Sequence, residues 1–312
     1  MRRYFRELSI LALLGVLLLA LFLFAPNFYD RAPLLSRLAS QMPPLVAAIG
    51  MTLVIISRQI DISIGSQFGI CAVTAGLLAG SGLPLPLVAL ASIGAGVVMG
   101  GINGFLVAAL RLPSIVVTLA TMVTWQETLR LWQQGKLLNL PAGVQWFGLS
   151  QQGGQTALIF GALALVLGFS WILSRGTAGR FIYAVGSNPE AARLAGISPG
   201  RVTFSAFTLL GALVGLAAVM HAVQSPQVQP TAGDGLELKV IAACVVGGVA
   251  ITGGRGRLLG VLPGMLLLAN VNPALTHFHV QAYWEKAIQG LVILLAVVAD
   301  GVRSRRLKRG KL

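Results

Sequence analysis

Long, mostly apolar runs, interrupted by short clusters of arginine, glycine and proline, set the pattern of this chain. They cover residues 9–25, 45–57, 66–80, 85–110, 112–131, 155–174, 202–223, 240–253, 258–271 and 286–298. A helix that crosses a bilayer needs about 20 apolar residues, so the pattern predicts about ten spans. Several runs are shorter than that. Those near Asp61, Gly253 and Asn270 predict broken or tilted helices, or ends that dip into a protein-lined cavity. The first run follows Arg2, Arg3 and Arg6 as a secretory signal would, but no small-x-small cleavage site follows it, so it is expected to be an uncleaved span.

Composition agrees with this pattern and excludes a water-soluble fold: 56% of residues are hydrophobic and 10% charged, with a mean hydropathy of +0.83. An ordinary soluble domain carries roughly 25% charged residues. One transmembrane domain over residues 1–312 is expected, with a cytoplasmic loop at 175–201, a basic cytoplasmic tail at 301–312 and no second soluble domain. The net charge of +14 changes meaning once it is placed on the spans. With the N-terminus in the cytoplasm and sides alternating, only Arg31, Arg37, Arg130, Lys136, Lys239 and Lys286 fall outside, and the other 17 of the 23 basic residues fall inside. That is the direction of the positive-inside rule, and it puts both termini in the cytoplasm. The tail is then a candidate for anionic lipid headgroups, at on the order of 1 kcal/mol per basic residue, and not for nucleic acid. Cys71 and Cys244 lie far apart in apolar runs and read as small buried residues.

Lipid tails give helices no hydrophobic reason to associate, so small residues must let backbones approach. Gly96, Gly100 and Gly104 form one such stripe, Gly211 and Gly215 another, and Gly247, Gly248, Gly253 and Gly254 crowd the eighth run. Gly254-x-Gly256 resembles part of a dinucleotide fingerprint, but the third glycine is missing and no soluble strand precedes it.

The loop at 175–201 encodes a short helix. Asn188 suits the N-cap, Pro189 the first helical position, Glu190 the positive end of the helix dipole and Gly196 a left-handed C-terminal stop. About two turns lie between the caps, too few to be stable alone, so a partner or the membrane surface is expected on the face of Ala191, Ala192 and Ala195.

Glu190-Ala191-Ala192 with Gly196 resembles the coupling motif of ATP-binding-cassette importer permeases. The longer stretch Gly179-Arg180-x-x-x-Ala184-x-Gly186-x-Asn188-Pro189-x-Ala191-Ala192 is similar to the monosaccharide branch of that family, the ribose, xylose, arabinose and rhamnose type. So are Ile60-Asp61-Ile62-Ser63-x-Gly65-Ser66 and Gly235-x-Glu237-Leu238 with the following Ile241-Ala242-Ala243 and Gly247-Gly248. Arg58 and Gln59 depart from the pattern, since many relatives carry two glycines there.

The resemblance implies an all-α polytopic bundle of the type II importer kind in a bacterial inner membrane. It implies a second permease subunit, identical or related, a cytoplasmic ATPase and a periplasmic sugar-binding protein. The chain has no G-x-x-x-x-G-K-[ST] segment, so ATP and magnesium are expected on the ATPase and no cofactor, metal or catalytic residue on this chain. Asn188, Pro189, Glu190, Ala191, Ala192, Arg193 and Gly196 would then couple to the ATPase. Along the path the candidates are Asp61, Ser63, Thr121, Trp125, Gln126 and Asn270. An ionisable residue in a span costs about 3 kcal/mol, so Asp61 is either functional or a helix-break cap or ion pair with Arg58. Trp125 suits either a sugar or the outer interface, and Asn270 either the path or a bond between helices. On the outer side, Arg31, Arg37, Arg130, Lys136, Asp234 and Glu237 are candidates for docking the binding protein by charge complementarity. The cargo is expected to be a monosaccharide. Alternatives of the same architecture are an autoinducer-2-like furanosyl signal, a nucleoside or a branched-chain amino acid, with a secondary transporter further off because few of the nine acids fall within spans.

Overall fold

The computed structural model describes residues 30–277, 280, 281 and 284–309, with isolated helical positions between 12 and 23. The span expected at 9–25, with Arg2, Arg3 and Arg6, therefore lies largely outside the described residues. Helix dominates the rest, because a backbone in hydrocarbon has to satisfy its own N–H and C=O groups. The helices are α1 (Arg31–Ser40), α2 (Met42–Ile56), α3 (Ile64–Gly80), α4 (Leu85–Ala108), α5 (Ser114–Gln133), α6 (Gln151–Arg175) and α7 (Thr177–Ser187). They continue as α8 (Pro189–Leu194), α9 (Pro199–Ala222), α10 (Leu236–Val246), α11 (Leu258–Ala269), α12 (Val271–His277) and α13 (Trp284–Arg309). Among the described residues, five stretches are long and apolar enough to cross a membrane: Leu34–Ile56, Leu85–Ala108, Gln151–Arg175, Pro199–Ala222 and Leu258–Thr276. Ile64–Gly80 is a shorter apolar helix.

Two expectations change. The run at 240–253 is not one continuous helix, because α10 starts at Leu236 and ends at Val246, where Gly247 caps it and Gly248 turns with φ +90°, a break of the kind expected near Gly253. Nor is the chain purely helical: β1 (Leu138–Asn139) pairs antiparallel with β2 (Gln227–Val228) and, with the 3-10 turn Ala142–Gly148, covers one end of the bundle.

All of α2 except Pro44 is buried, and it packs against α9, α10 and α6. The glycine stripes meet one another. A Cβ on Gly96 would collide with the carbonyl of Gly211, and one on Gly100 with that of Phe207, so α4 and α9 touch backbone to backbone. Ser92 adds polar bonds at that seam, its Oγ donating to the carbonyls of Gly215 at 3.0 Å and Cys71 at 3.1 Å.

After β2 the chain turns inward. Val228 lies against Gly76, Pro230 against Gly69 and Gly233 against Gly65, so the segment descends beside α3 by about 16 Å at roughly 1.5 Å per helical residue. α10 carries the descent on for its 11 residues, about 16 Å more. Asp234 and Gly235 thus stand partway down the bundle, and the connection at 225–238, expected as an outer loop, runs inward and hands over to α10. α3 starts at that depth too. Residues 57–63 climb beside α5, with Ile60 N donating to Ser114 Oγ at 3.3 Å and Ile62 N to Thr118 Oγ1 at 3.1 Å. These side chains take the place of water for backbone groups outside a helix.

Candidate functional site

The short helix α8 forms as its caps require. Asn188 Oδ1 accepts from Glu190 N at 3.0 Å and Ala191 N at 3.1 Å, Pro189 opens the helix, and Gly196 follows with φ +80°. The expected alanine face is split, however. Ala192 is buried against the chain itself, while Glu190, Ala191, Arg193 and Leu194 point outward, Leu194 being 88% exposed.

The residues leading into α8 are fixed by backbone contacts. Gly254 N donates to Ile56 O at 2.8 Å. A Cβ on Gly186 would meet Ile56 O and lie 2.6 Å from Gly254 N, and one on Gly253 would lie 2.7 Å from Arg58 Cβ. Tyr183 Oη donates to Gly256 O at 2.7 Å. Burial pushes the Tyr183 phenol above its ordinary pKa, with Arg257 opposing. The end of α2, the end of α7 and the loop after α10 thus form one junction.

Inside the bundle Asp61 is fully buried. Ser63 N and Oγ donate to its Oδ1 at 2.8 and 2.6 Å, and Gln67 Nε2 and Asn103 Nδ2 donate to its Oδ2 at 3.1 and 3.3 Å. The same two amides donate to Ser63 Oγ at 2.9 and 2.8 Å. A carboxylate accepts about four hydrogen bonds, and all are supplied by neutral donors. Among the described residues no ion pair joins Asp61 to Arg58; its carboxylate instead binds Ser63, the residue at the N-cap of α3. Gln67 and Asn103 were not among the candidates. Their signal is an amide in an otherwise apolar helix, which needs a polar partner inside the bundle.

Beside this cage, Gln126 Nε2 donates to Asp234 Oδ1 at 2.9 Å, and Arg130 reaches Asp234 Oδ2 at 3.2 Å and Glu127 Oε1 at 2.8 Å. Residues assigned from sequence to two separate roles, path and docking, therefore form one cluster. Glu237 is half-buried in the first turn of α10, with its Oε2 against Gly65. The remaining candidates stay apart. Thr121 bonds to the carbonyl of Thr118 at 3.3 Å, Trp125 is half-buried, and Asn270 bonds to the carbonyl of Leu266 at 2.6 Å within its own helix. Arg37 is half-buried in α1, Lys136 is exposed, and the side chain of Arg31 lies outside the described residues.

Helices long and apolar enough to cross a membrane, with a buried polar cage between them, are the features of an integral membrane protein. The chain belongs to the importer family described as branched-chain amino acid transport system / permease component, whose model matches residues 34–297. It is similar to the autoinducer 2 import system permease protein LsrC of Enterobacter sp. (strain 638), at 38% identity over 303 residues, covering 97% of this chain and 87% of that one. The proteins of the same name from Salmonella typhi (36% over 307 residues, 96% and 88% covered) and Escherichia coli K12 / DH10B (36% over 313 residues, 97% and 91% covered) are also similar. No solved structure matches.

Proposed function

We propose that this chain is the membrane-spanning subunit of an ATP-driven importer that moves an autoinducer-2-like furanosyl signal, handed over by a periplasmic binding protein, across a bacterial inner membrane. The observation that carries the cargo is the similarity, over nearly the whole chain, to permeases named for autoinducer 2 import. It favours that solute over ribose, xylose, arabinose or rhamnose. In this reading the whole chain is one domain of about ten spans with both termini cytoplasmic, paired with a second permease subunit. ATP and magnesium are bound by a separate ATPase.

The outward side chains Glu190, Ala191, Arg193 and Leu194 would seat α8 on that ATPase, while Asn188, Pro189 and Gly196 hold its shape and Ala192 anchors it. Populations would shift between inward-facing and outward-facing arrangements through this contact. Of the path candidates, Gln126 has the geometry that supports contact with cargo. Asp61 and Ser63 hold the helix break, and Asn270 is engaged within its own helix. Docking of the binding protein falls to Lys136, Arg31 and Arg37, since Arg130, Asp234 and Glu237 lie deeper.

The test is to purify the chain with the proteins encoded beside it and follow ATP hydrolysis with the loaded binding protein. Autoinducer 2, ribose and leucine are offered in turn. Stimulation by autoinducer 2 alone supports the reading; stimulation by leucine alone assigns the cargo to the amino acids instead. Uptake driven by an ion gradient without a copurifying ATPase refutes the class.

A further inference from the structure

We infer that Gln126, Arg130 and Asp234 form a water-lined polar station partway down the bundle, where the hydroxyl groups of an uncharged, polyhydroxylated cargo are held in passage. The inference rests on the transport reading above and names the contact site within it. Depth comes first. Asp234 lies between a segment that descends from the level of Gly76 to that of Gly65 and the 11 residues of α10 below it, so it stands far from either end of the bundle. On α5, Arg130 lies in the last turn and Gln126 one turn below it, but that end is recessed: Leu129, four residues before it, packs against Gly69, which lies 11 residues below the end of α3 at Gly80.

Exposure comes second. The side chains of Arg130, Glu127 and Asp234 are 44%, 54% and 36% exposed on the surface of this chain. Charged groups facing hydrocarbon at that depth cost several times what an exposed ion pair returns. The face that carries them must therefore meet water, and in a permease a wet face partway down the bundle is the passage. Asp61, lower in the bundle, shows the contrast: a charge-bearing group that is fully enclosed by donors.

The chemistry of the cargo follows from what the cluster leaves unused. Arg130 has five N–H donors and spends one on each carboxylate, while Asp234 accepts two bonds of about four. One cation, Arg130, faces the two carboxylates of Glu127 and Asp234, so the cluster is net negative and offers an anion no unshared positive charge. What remains is donors and acceptors side by side on one open surface, which suits hydroxyls, since each of them both donates and accepts.

The test uses the full chain reconstituted with its ATPase in liposomes, with Gln126→Cys and Asp234→Cys made separately and Phe160→Cys, an exposed apolar position on α6, as the reference. Background is low because Cys71 and Cys244 are both buried. Positions 126 and 234 are expected to react with a small charged thiosulfonate several-fold faster than 160, and not with a bulky poly(ethylene glycol) maleimide. Rates no faster than at 160 would overturn the wet face, and equal reaction with the bulky reagent would overturn the depth. In assembled complexes, Asp234→Asn is expected to lower autoinducer 2 uptake about tenfold, the equivalent of one charge-assisted hydrogen bond, and the exchanged pair Arg130→Asp with Asp234→Arg to recover part of it. Unchanged uptake in Asp234→Asn overturns the contact. Absence of ATP-driven uptake by the unaltered complex would refute the transport reading while leaving the labelling result standing.

Discussion

Replacing Gly186 by alanine puts a methyl group into the place where three backbones meet. Its Cβ would lie 2.6 Å from Gly254 N and 2.9 Å from the carbonyl carbon of Ile56, and closer still to Ile56 O. Ordinary carbon contacts are about 3.5–4.0 Å, and the clash with Ile56 O is the tightest, so the end of α2 has to retreat by about 1.5 Å or more. Overpacking of that kind costs about 1–3 kcal/mol. The retreat also breaks the 2.8 Å bond from Gly254 N to Ile56 O, and leaving that buried pair unmade costs about 1–3 kcal/mol more. The sum is about 2–6 kcal/mol. The comparison is Gly168→Ala in α6, where an added Cβ meets nothing within 4 Å and alanine gains about 0.5–1 kcal/mol of helix propensity. Thermal unfolding in mild detergent, followed by tryptophan fluorescence at one scan rate, should show Gly186→Ala losing several degrees relative to Gly168→Ala. Equal midpoints for the two variants would mean that the junction yields without cost, and the packing argument would fail.

Three further outcomes follow from other contacts. Asp61→Asn replaces a carboxylate oxygen with an amide that faces donors on Ser63, Gln67 or Asn103, and should cost about 1–3 kcal/mol in the same assay. Tyr183→Phe removes the bond to Gly256 O and should cost about 1 kcal/mol near neutral pH. Because burial raises the Tyr183 pKa in the folded chain, its contribution is present below the unfolded value of about 10 and is lost as pH rises through the folded one. The Phe variant should therefore lack that alkaline loss in a pH series of unfolding midpoints. Asn188→Ala removes the acceptor for two N–H groups of α8, an effect of about 0.5–2 kcal/mol read as faster amide exchange over residues 189–195.

Local chemistry was legible in the sequence where one segment decides its own shape. Asn188, Pro189 and Gly196 bracket α8 because caps act within a few residues, and the stripes Gly96–Gly100–Gly104 and Gly211–Gly215 met because close approach has few other solutions. Depth was not legible. The residues after Val228 are rich in proline, glycine, threonine and aspartate and read as an outer loop, yet they run inward because α3 offers Gly76, Gly69 and Gly65 as a groove for them. Nor does a single amide declare its partner: Gln67 and Asn103 lie on different helices, and only the fold brings both to Asp61. The side of α8 that turns inward was hidden for the same reason, since Ala191 and Ala192 differ only in what the rest of the chain places beneath them.

The contact of Gly65 with Gly233 also bears on the order of assembly during synthesis. A chain emerging from the ribosome can close the Asp61 cage once α4 and α5 are in place, because Asn103, Ser114 and Thr118 all belong to them. The wall of α3 that receives residues 228–233 is not covered by them until α9 has been made and the chain has turned back. Through that interval Gly65 lacks its cover, while Gly69 and Gly76 have only Leu129 and Leu138 against them. The packing of residues 228–233 on α3 is therefore a contact of long sequence separation, made only after the helices between them exist.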